Sequence, residues 1–264
     1  MKKQKKHPRL TESPGKDSSE ILYGVHAVKE ALSAGRRTFE KIFILGENIS
    51  GERSEIVDKA KMIDSPVETT SRPQLDMMTD NAVHQGVAAI VSPFPVETID
   101  RFFLKCRSEG APPFLLILDS IVDTHNLGAL IRTSVCAGVN GIIVPKDRSA
   151  RPSPAVSKAS AGAMEHAMIG MATNLSKTIN DLKELGVWIA GLDADADNPL
   201  YKTDLTGPIA IVVGGEEKGL RPLVKKQCDF VISIPQSGTV NSLNASVAGA
   251  VVMYEAFRQR IKDK

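Results

Sequence analysis

FLLILDSIVDTHNLGALIRTS, residues 114–134, opens with an unbroken apolar run, meets its first charge at Asp119, and then turns polar before a helical pattern begins. An apolar run without alternation is the mark of a strand covered on both faces, as in parallel sheets. The pattern toward the carboxyl end repeats that unit. A helix over 127–137 leads to the strand GIIVP, a helix over 152–161, the strand HAMIGM and a helix over 174–185. The strands VWIAGL and PIAIVVGG follow. Strands alternating with helices predict an α/β domain with a parallel sheet, assigned to residues 114–264.

Toward the amino end the pattern changes twice. Pro93, Pro95, Pro112 and Pro113 bracket a helix-like segment, VETIDRFFLKCRSEGAPP, and residues 94–113 are read as a linker. Before it, ILYGVHAVKEALSAG places Val25, Val28, Ala31 and Leu32 at helical spacing and stops at Gly35. The strands KIFIL, PVETT and HQGVAAIVSP, with helices at 52–63 and QLDMMT, complete a small α/β domain over 20–93. Residues 1–19 carry MKKQKKHPR and almost nothing apolar, so they are expected to be a disordered basic tail.

Composition narrows the function. Of 264 residues, 42% are hydrophobic and 24% charged, with a formal net charge of +2, an ordinary globular balance. Aromatics are 5%, too few for a stacking platform of several rings. The three cysteines form no CxxC pair and the five histidines no HExxH pair, so no disulfide framework and no metal site are expected. No run reaches the length of a membrane span and no apolar h-region follows the basic start, which points to the cytoplasm.

Three polar clusters follow strands of the larger domain, where open α/β sheets bind ligands. The first holds Asn126, read as a helix cap, and Arg132, six residues on. The second is IVVGGEEKGL, residues 211–220, with Gly214 and Glu216. It fits neither a Walker loop, since Lys218 precedes glycine, nor GxGxxG. The third is ISIPQSGTVNSLNASVAGA, residues 232–250, where Ser242 reads as a cap and Asn244 as a first-turn residue. Its small residues, Ala245, Ser246, Ala248, Gly249 and Ala250, allow close packing of the last helix.

In order and spacing the clusters resemble the three signature motifs of the SpoU branch of the SPOUT methyltransferases. The matching residues are Asn126-Leu-Gly-Ala with Arg132-Thr133, then Gly214, Glu216, Gly219 and Leu220. The last set is Ile234-Pro235, Gly238, Val240, Ser242-Leu243-Asn244 and Ser246-Val247-Ala248. The family has proline where Thr124 stands, and a looser turn is expected there. LYGVHAVKEAL and HQGVAAIV resemble the small L30e-like domain of the branch that acts on a guanosine of 23S rRNA, and residues 156–166 resemble that branch too.

The resemblance implies a trefoil knot at the carboxyl end and transfer of a methyl group from S-adenosylmethionine to a ribose 2′-hydroxyl of RNA. It also implies a homodimer with active sites beside the subunit interface. Backbone at Gly214, Ile234 and Leu243 would hold the cofactor, and Ser242 and Asn244 would position both substrate and cofactor by hydrogen bonds. Arg132 would act on the hydroxyl, and Asn126 and Glu216 would orient Arg132 or the ribose. A tRNA ribose methyltransferase and a noncatalytic RNA-binding assembly factor stay open as alternatives.

Overall fold

The computed structural model describes residues 19–46, 49–238 and 242–261. The basic start, together with Val240 and Asn241 of the third cluster, lies outside them. The first unit is a four-stranded mixed sheet in the order β1-β4-β2-β3, from β1 (Glu20–Tyr23), β2 (Phe39–Leu45), β3 (Val67–Thr70) and β4 (Val87–Val91). Its helices are α1 (Val25–Ala34), α2 (Glu52–Met62) and α3 (Arg72–Met78). Leu22, Ala27, Val28, Ile42, Ile44, Ile56 and Val87 close its core. The stretch from Ile21 to Tyr23, expected to lead into a helix, is strand and pairs antiparallel with β4. Gly24 breaks it from α1 with φ +96°.

Residues 94–113, expected as a linker, contain α4 (Ile99–Glu109), and Phe102 on it is fully buried in the larger unit. The physical reason is its apolar stripe, which needs cover: Phe102 and Cys106, four residues apart, share the inward face.

The larger unit is a seven-stranded sheet in the order β7-β6-β5-β10-β8-β11-β9, and every pairing in it is parallel. Its strands are β5 (Phe114–Asp119), β6 (Gly141–Pro145), β7 (Ile169–Ala172), β8 (Trp188–Leu192), β9 (Asn198–Pro199), β10 (Ile209–Gly214) and β11 (Phe230–Ser233). The helices after α4 are α5 (Thr124–Cys136), α6 (Pro154–Ala159), α7 (Leu175–Glu184), α8 (Pro222–Gln227) and α9 (Ala245–Arg260).

Strand alternation sorts the core into two layers. Leu116, Leu118, Ile211 and Val213 face Leu127, Leu130, Val252 and Met253 of α5 and α9. Leu115, Ile117, Ala210 and Val212 face Phe102, Ile179, Leu182 and Val224 of α4, α7 and α8. The small residues expected to bring the last helix close do so: a Cβ on Gly249 would stand 2.4 Å from Cδ2 of Leu130. Among the described residues no helix is long and apolar enough to cross a membrane.

The two units meet along α1, α6 and a 3-10 turn at Ala163–His166. Arg37 and Glu165, both almost fully buried, are joined by two hydrogen bonds, Nε to Oε2 at 2.8 Å and Nη2 to Oε1 at 3.2 Å. Ser157 Oγ donates to the same carboxylate at 2.7 Å. Arg37 Nη1 also donates to Glu20 at 2.6 Å, and Arg36 Nη1 to the Ala167 carbonyl at 2.6 Å. Burial lowers the pKa of Lys158, whose ammonium donates to Gln85 across the same seam.

Candidate functional site

All the parallel strands end on one edge, and the three polar clusters meet there. Asp119 and Gly214, partners in the register of β5 and β10, mark it. The helix after β5 begins at Thr124, capped by Asp123, whose carboxylate accepts from His125 N at 2.9 Å. Asn126 is therefore not the cap but the third helical residue, and it is buried. Thr124 stands at the first helical position, where proline is equally at home. A capped helix start takes the place of the looser turn expected there.

After β10 the chain folds back on itself. Gly219 N donates to the Gly215 carbonyl at 2.9 Å, with Gly219 at φ +59°. A Cβ on Gly214 would lie 2.2 Å from the carbonyl carbon of Gly219, so only glycine fits. This tight return sets Glu216 beside α5. At the start of α9 it is Asn244, not Ser242, that caps: its Oδ1 accepts from Ser246 N at 2.9 Å and Val247 N at 3.3 Å. The cap fixes the amide plane and leaves Nδ2 aimed at the other two clusters.

The result is a closed triangle. Asn126 Nδ2 donates to Glu216 Oε1 at 2.6 Å, and Asn244 Nδ2 donates to Asn126 Oδ1 at 3.1 Å and to Glu216 Oε1. Each amide oxygen is also used, so the group is held without a free rotor.

A cavity of about 290 Å³ opens beside this triangle, lined by Leu192, Gly214, Gly219, Ile234 and Leu243. Ala245 and Ala248 line it too, as do Ser242, Gln236, Asp193, Asp195, Glu216 and Lys218. That is the small end of ligand cavities, roughly 300–1,000 Å³. Burial pushes the Asp193 carboxyl up, but the Lys225 ammonium at 2.5 Å and the Asp195 N–H hold it below its ordinary value. A second cavity of about 490 Å³ adjoins the first through Gly215, Glu216, Lys218 and Gly219. Asn126, Asp123, Ile121, Arg148 and Arg221 also line it.

Of the residues singled out in the sequence, Gly214, Ile234, Ser242 and Leu243 line the first cavity, Asn126 the second and Glu216 both. Asn244 closes the triangle between them. Arg132 is not brought there: it is exposed on α5 and lines neither cavity. Sequence reasoning missed Asp119 and Arg221. Asp119 is fully buried, and its carboxylate accepts from Arg221 N at 2.8 Å and Arg221 Nε at 2.6 Å. The signal was a carboxylate ending a fully apolar strand. Among the described residues no group of three or more His, Cys, Asp or Glu is placed to hold a metal.

Comparison with known proteins agrees with this geometry. The model of the SpoU rRNA Methylase family matches residues 113–254, and that of RNA 2′-O ribose methyltransferase substrate binding matches residues 21–96. The 23S rRNA (guanosine-2′-O-)-methyltransferase RlmB of Photorhabdus laumondii is 40% identical, over 92% of this chain and 99% of its own. A Staphylococcus haemolyticus protein assigned to the TrmH family of tRNA/rRNA methyltransferases is 43% identical, over 91% of this chain and 96% of its own. In fold, the chain is similar to the SpoU methyltransferase AviRb from Streptomyces viridochromogenes, a structure in complex with AdoMet. The TM-score is 0.77 at 23% identity, over 92% of this chain and 91% of that one.

Proposed function

The chain belongs to the SpoU rRNA methylase family, and from that premise we propose that it moves a methyl group from S-adenosylmethionine to a ribose 2′-hydroxyl of RNA, with a guanosine of 23S rRNA as the target. The observation that carries the proposal is the triangle of Asn126, Glu216 and Asn244, which joins clusters 90 and 118 residues apart in the chain. A scaffold protein has no use for three polar groups locked together at the junction of two cavities.

The first cavity suits S-adenosylmethionine. Gly214, Ile234 and Leu243 line its walls, and their main chain would hold a purine and ribose. Its carboxylates, Asp193, Asp195 and Glu216, suit a cationic ligand. When bound, the cofactor supplies a methyl group on a sulfonium, already an activated electrophile. What is left to the chain is to hold the acceptor hydroxyl in line and to stabilise the charge that grows on it. The second cavity adjoins the first at Glu216, so it takes the acceptor nucleotide. Asn126 and Asn244 hold Glu216 toward both.

Arg132 carries the charge that stabilises the developing alkoxide, since an arginine keeps its proton and acts best as a cation. Its exposed position on α5 is accounted for by a homodimer, in which a second copy presents Arg132. Val247 and Tyr254, both exposed and seven residues apart, share the outward side of α9, which packs on α5. The trefoil knot belongs to the same proposal. β11 lies on the far side of β8 from β10, while α9 returns to α5 and β10. Ile234 and Gln236, just after β11, and Ser242 and Leu243, just before α9, line the first cavity from either side of that connection. Reaction on ribosomal RNA places the protein in the cytoplasm.

The test joins a map of rRNA 2′-O-methyl sites, with and without the gene, to calorimetry with S-adenosylmethionine. One guanosine of 23S rRNA is expected to lose its mark. Loss of a tRNA mark instead would reassign the acceptor, and an unchanged map with no cofactor binding would leave only an RNA-binding role.

A further inference from the structure

We propose that the RNA strand leaves the acceptor cavity over a wall made by Arg148 and Arg221, which grip the phosphate next to the reacting ribose, and that the neighbouring nucleotide enters a third cavity beyond that wall. The inference rests on the methyl-transfer reading and specifies how its substrate is held. A third cavity of about 450 Å³ is lined by Asp147, Thr173, Asn174, Ser176 and Leu223, and by the same two arginines that line the second. Arg148 and Arg221 are thus the shared partition between two spaces of nucleotide scale at the carboxyl ends of β5, β6, β7 and β10.

The two guanidinium groups are built for this position. Arg221 is fixed by the fully buried Asp119, which takes its Nε and its backbone N–H. Neither Nη group has a partner among the described residues, so the outward fork is left to face a ligand. Arg148 stands at φ +57° in the turn after β6, a conformation that arginine rarely adopts, and it too has no partner among the described residues. A guanidinium fork matches the oxygens of a phosphate. The carboxylates around them set the direction. Asp123 and Glu217 line the second cavity and pair with no arginine among the described residues, which disfavours a phosphate beside them. Asp147, in the third, is paired with Arg151 at 3.6 Å. The phosphate therefore sits on the partition, with a base to either side. Two bases in separate cavities require an unpaired strand, which is the form in which RNA bases are splayed for recognition.

The probes are an unmodified 23S rRNA transcript and tritiated S-adenosylmethionine. R148Q and R221Q are each expected to raise KM for RNA roughly tenfold at about 0.15 M salt and to flatten the salt dependence of log kcat/KM by about 0.7, the loss of one single-strand phosphate contact. Cofactor affinity by calorimetry stays unchanged. Asp119→Asn, acting through Arg221, raises KM less, and its effect disappears in the R221Q background. Unchanged KM and salt slope in a folded R148Q and R221Q, or a loss confined to kcat, overturns the phosphate grip. If R221Q fails to fold, R148Q alone decides. A wild-type protein that binds no cofactor and methylates no 23S rRNA overturns the methyl-transfer reading, and this inference with it.

Discussion

Asn126 is the residue at which the site is most exposed to a single change, because it both donates to Glu216 and accepts from Asn244. Asn126→Asp keeps the shape and reverses the polarity of one bond. The new carboxylate would face that of Glu216 at hydrogen-bond distance, and two like charges so close cannot both stay ionised without displacement. Methyl transfer is expected to fall roughly 100-fold, about 2.7 kcal/mol in the barrier. Cofactor affinity should change little, because Asn126 does not line the first cavity. A radiolabel assay beside calorimetry checks this, and equal losses in both would show that the triangle serves the cofactor instead. Glu216→Gln keeps an acceptor oxygen for both asparagines and should cost less than Asn126→Asp. Thiol chemistry gives a second residue-scale expectation. Burial pushes the Cys228 thiol up to about 11, while Cys136 is exposed. At pH 8 iodoacetamide should label Cys136 well before Cys228, as read by peptide mass.

At the scale of elements, the segment 156–166 explains itself only through its partner. Seen in sequence it was a weak likeness to one branch of the family; in the fold it is the socket for the small unit. Glu165→Gln would leave the buried Arg37 guanidinium with Glu20 as its sole carboxylate. Removing one member of such a buried pair costs roughly 3–5 kcal/mol, less here for the remaining bond. The expected result is a lower melting temperature with the small unit unfolding first, visible as early amide exchange in α1. At the other end, Glu255 braces the last turns of α9 from within, where Gln259, one of its two donors, also donates to the Thr203 carbonyl. The Arg258 guanidinium and then the Gln259 amide draw its carboxyl down to about 2. A depressed pKa adds stability above the unfolded value near 4.5, and that stability is lost as pH falls toward 2. The drop in melting temperature between pH 5 and pH 2.5 should therefore shrink in E255Q. The alternation of strands and helices from β5 to β10 was legible because each buried strand is a continuous apolar run. β1, β9 and β11 were not, since two to four residues give no period; α4 reads as a helix, but its place in the larger unit was hidden by the prolines that flank it. Asn126, Glu216 and Asn244 were legible through their order. Their roles as interior residue, tip of a turn and cap came only from packing. The Asp119–Arg221 pair spans 102 residues, which no local pattern reveals.

For the whole molecule, the position of Arg132 decides how the reaction is assembled. One chain supplies both cavities and the triangle, yet Arg132 stands exposed on α5 and away from them. An isologous pair formed on the α5 and α9 faces would apply the same surface twice and could bring each Arg132 to the other copy's acceptor cavity. Two inactive variants then distinguish the arrangements. Asn244→Ala damages the triangle of its own chain, and Arg132→Ala removes the cation that its chain would present. Co-expressed with different tags and allowed to pair at random, half the dimers are mixed. With Arg132 acting across the interface, each mixed dimer holds one complete site, in the Arg132→Ala copy, and one site lacking both groups. The mixture should recover about a quarter of wild-type methyl transfer. With Arg132 acting within its own chain, both sites of a mixed dimer are damaged and the mixture stays as inactive as its parents. Tandem purification through both tags raises the expected value to about half for the mixed dimer alone. Light scattering on the same sample must show a dimer at micromolar concentration; a monomer with full activity would remove the second copy from the mechanism.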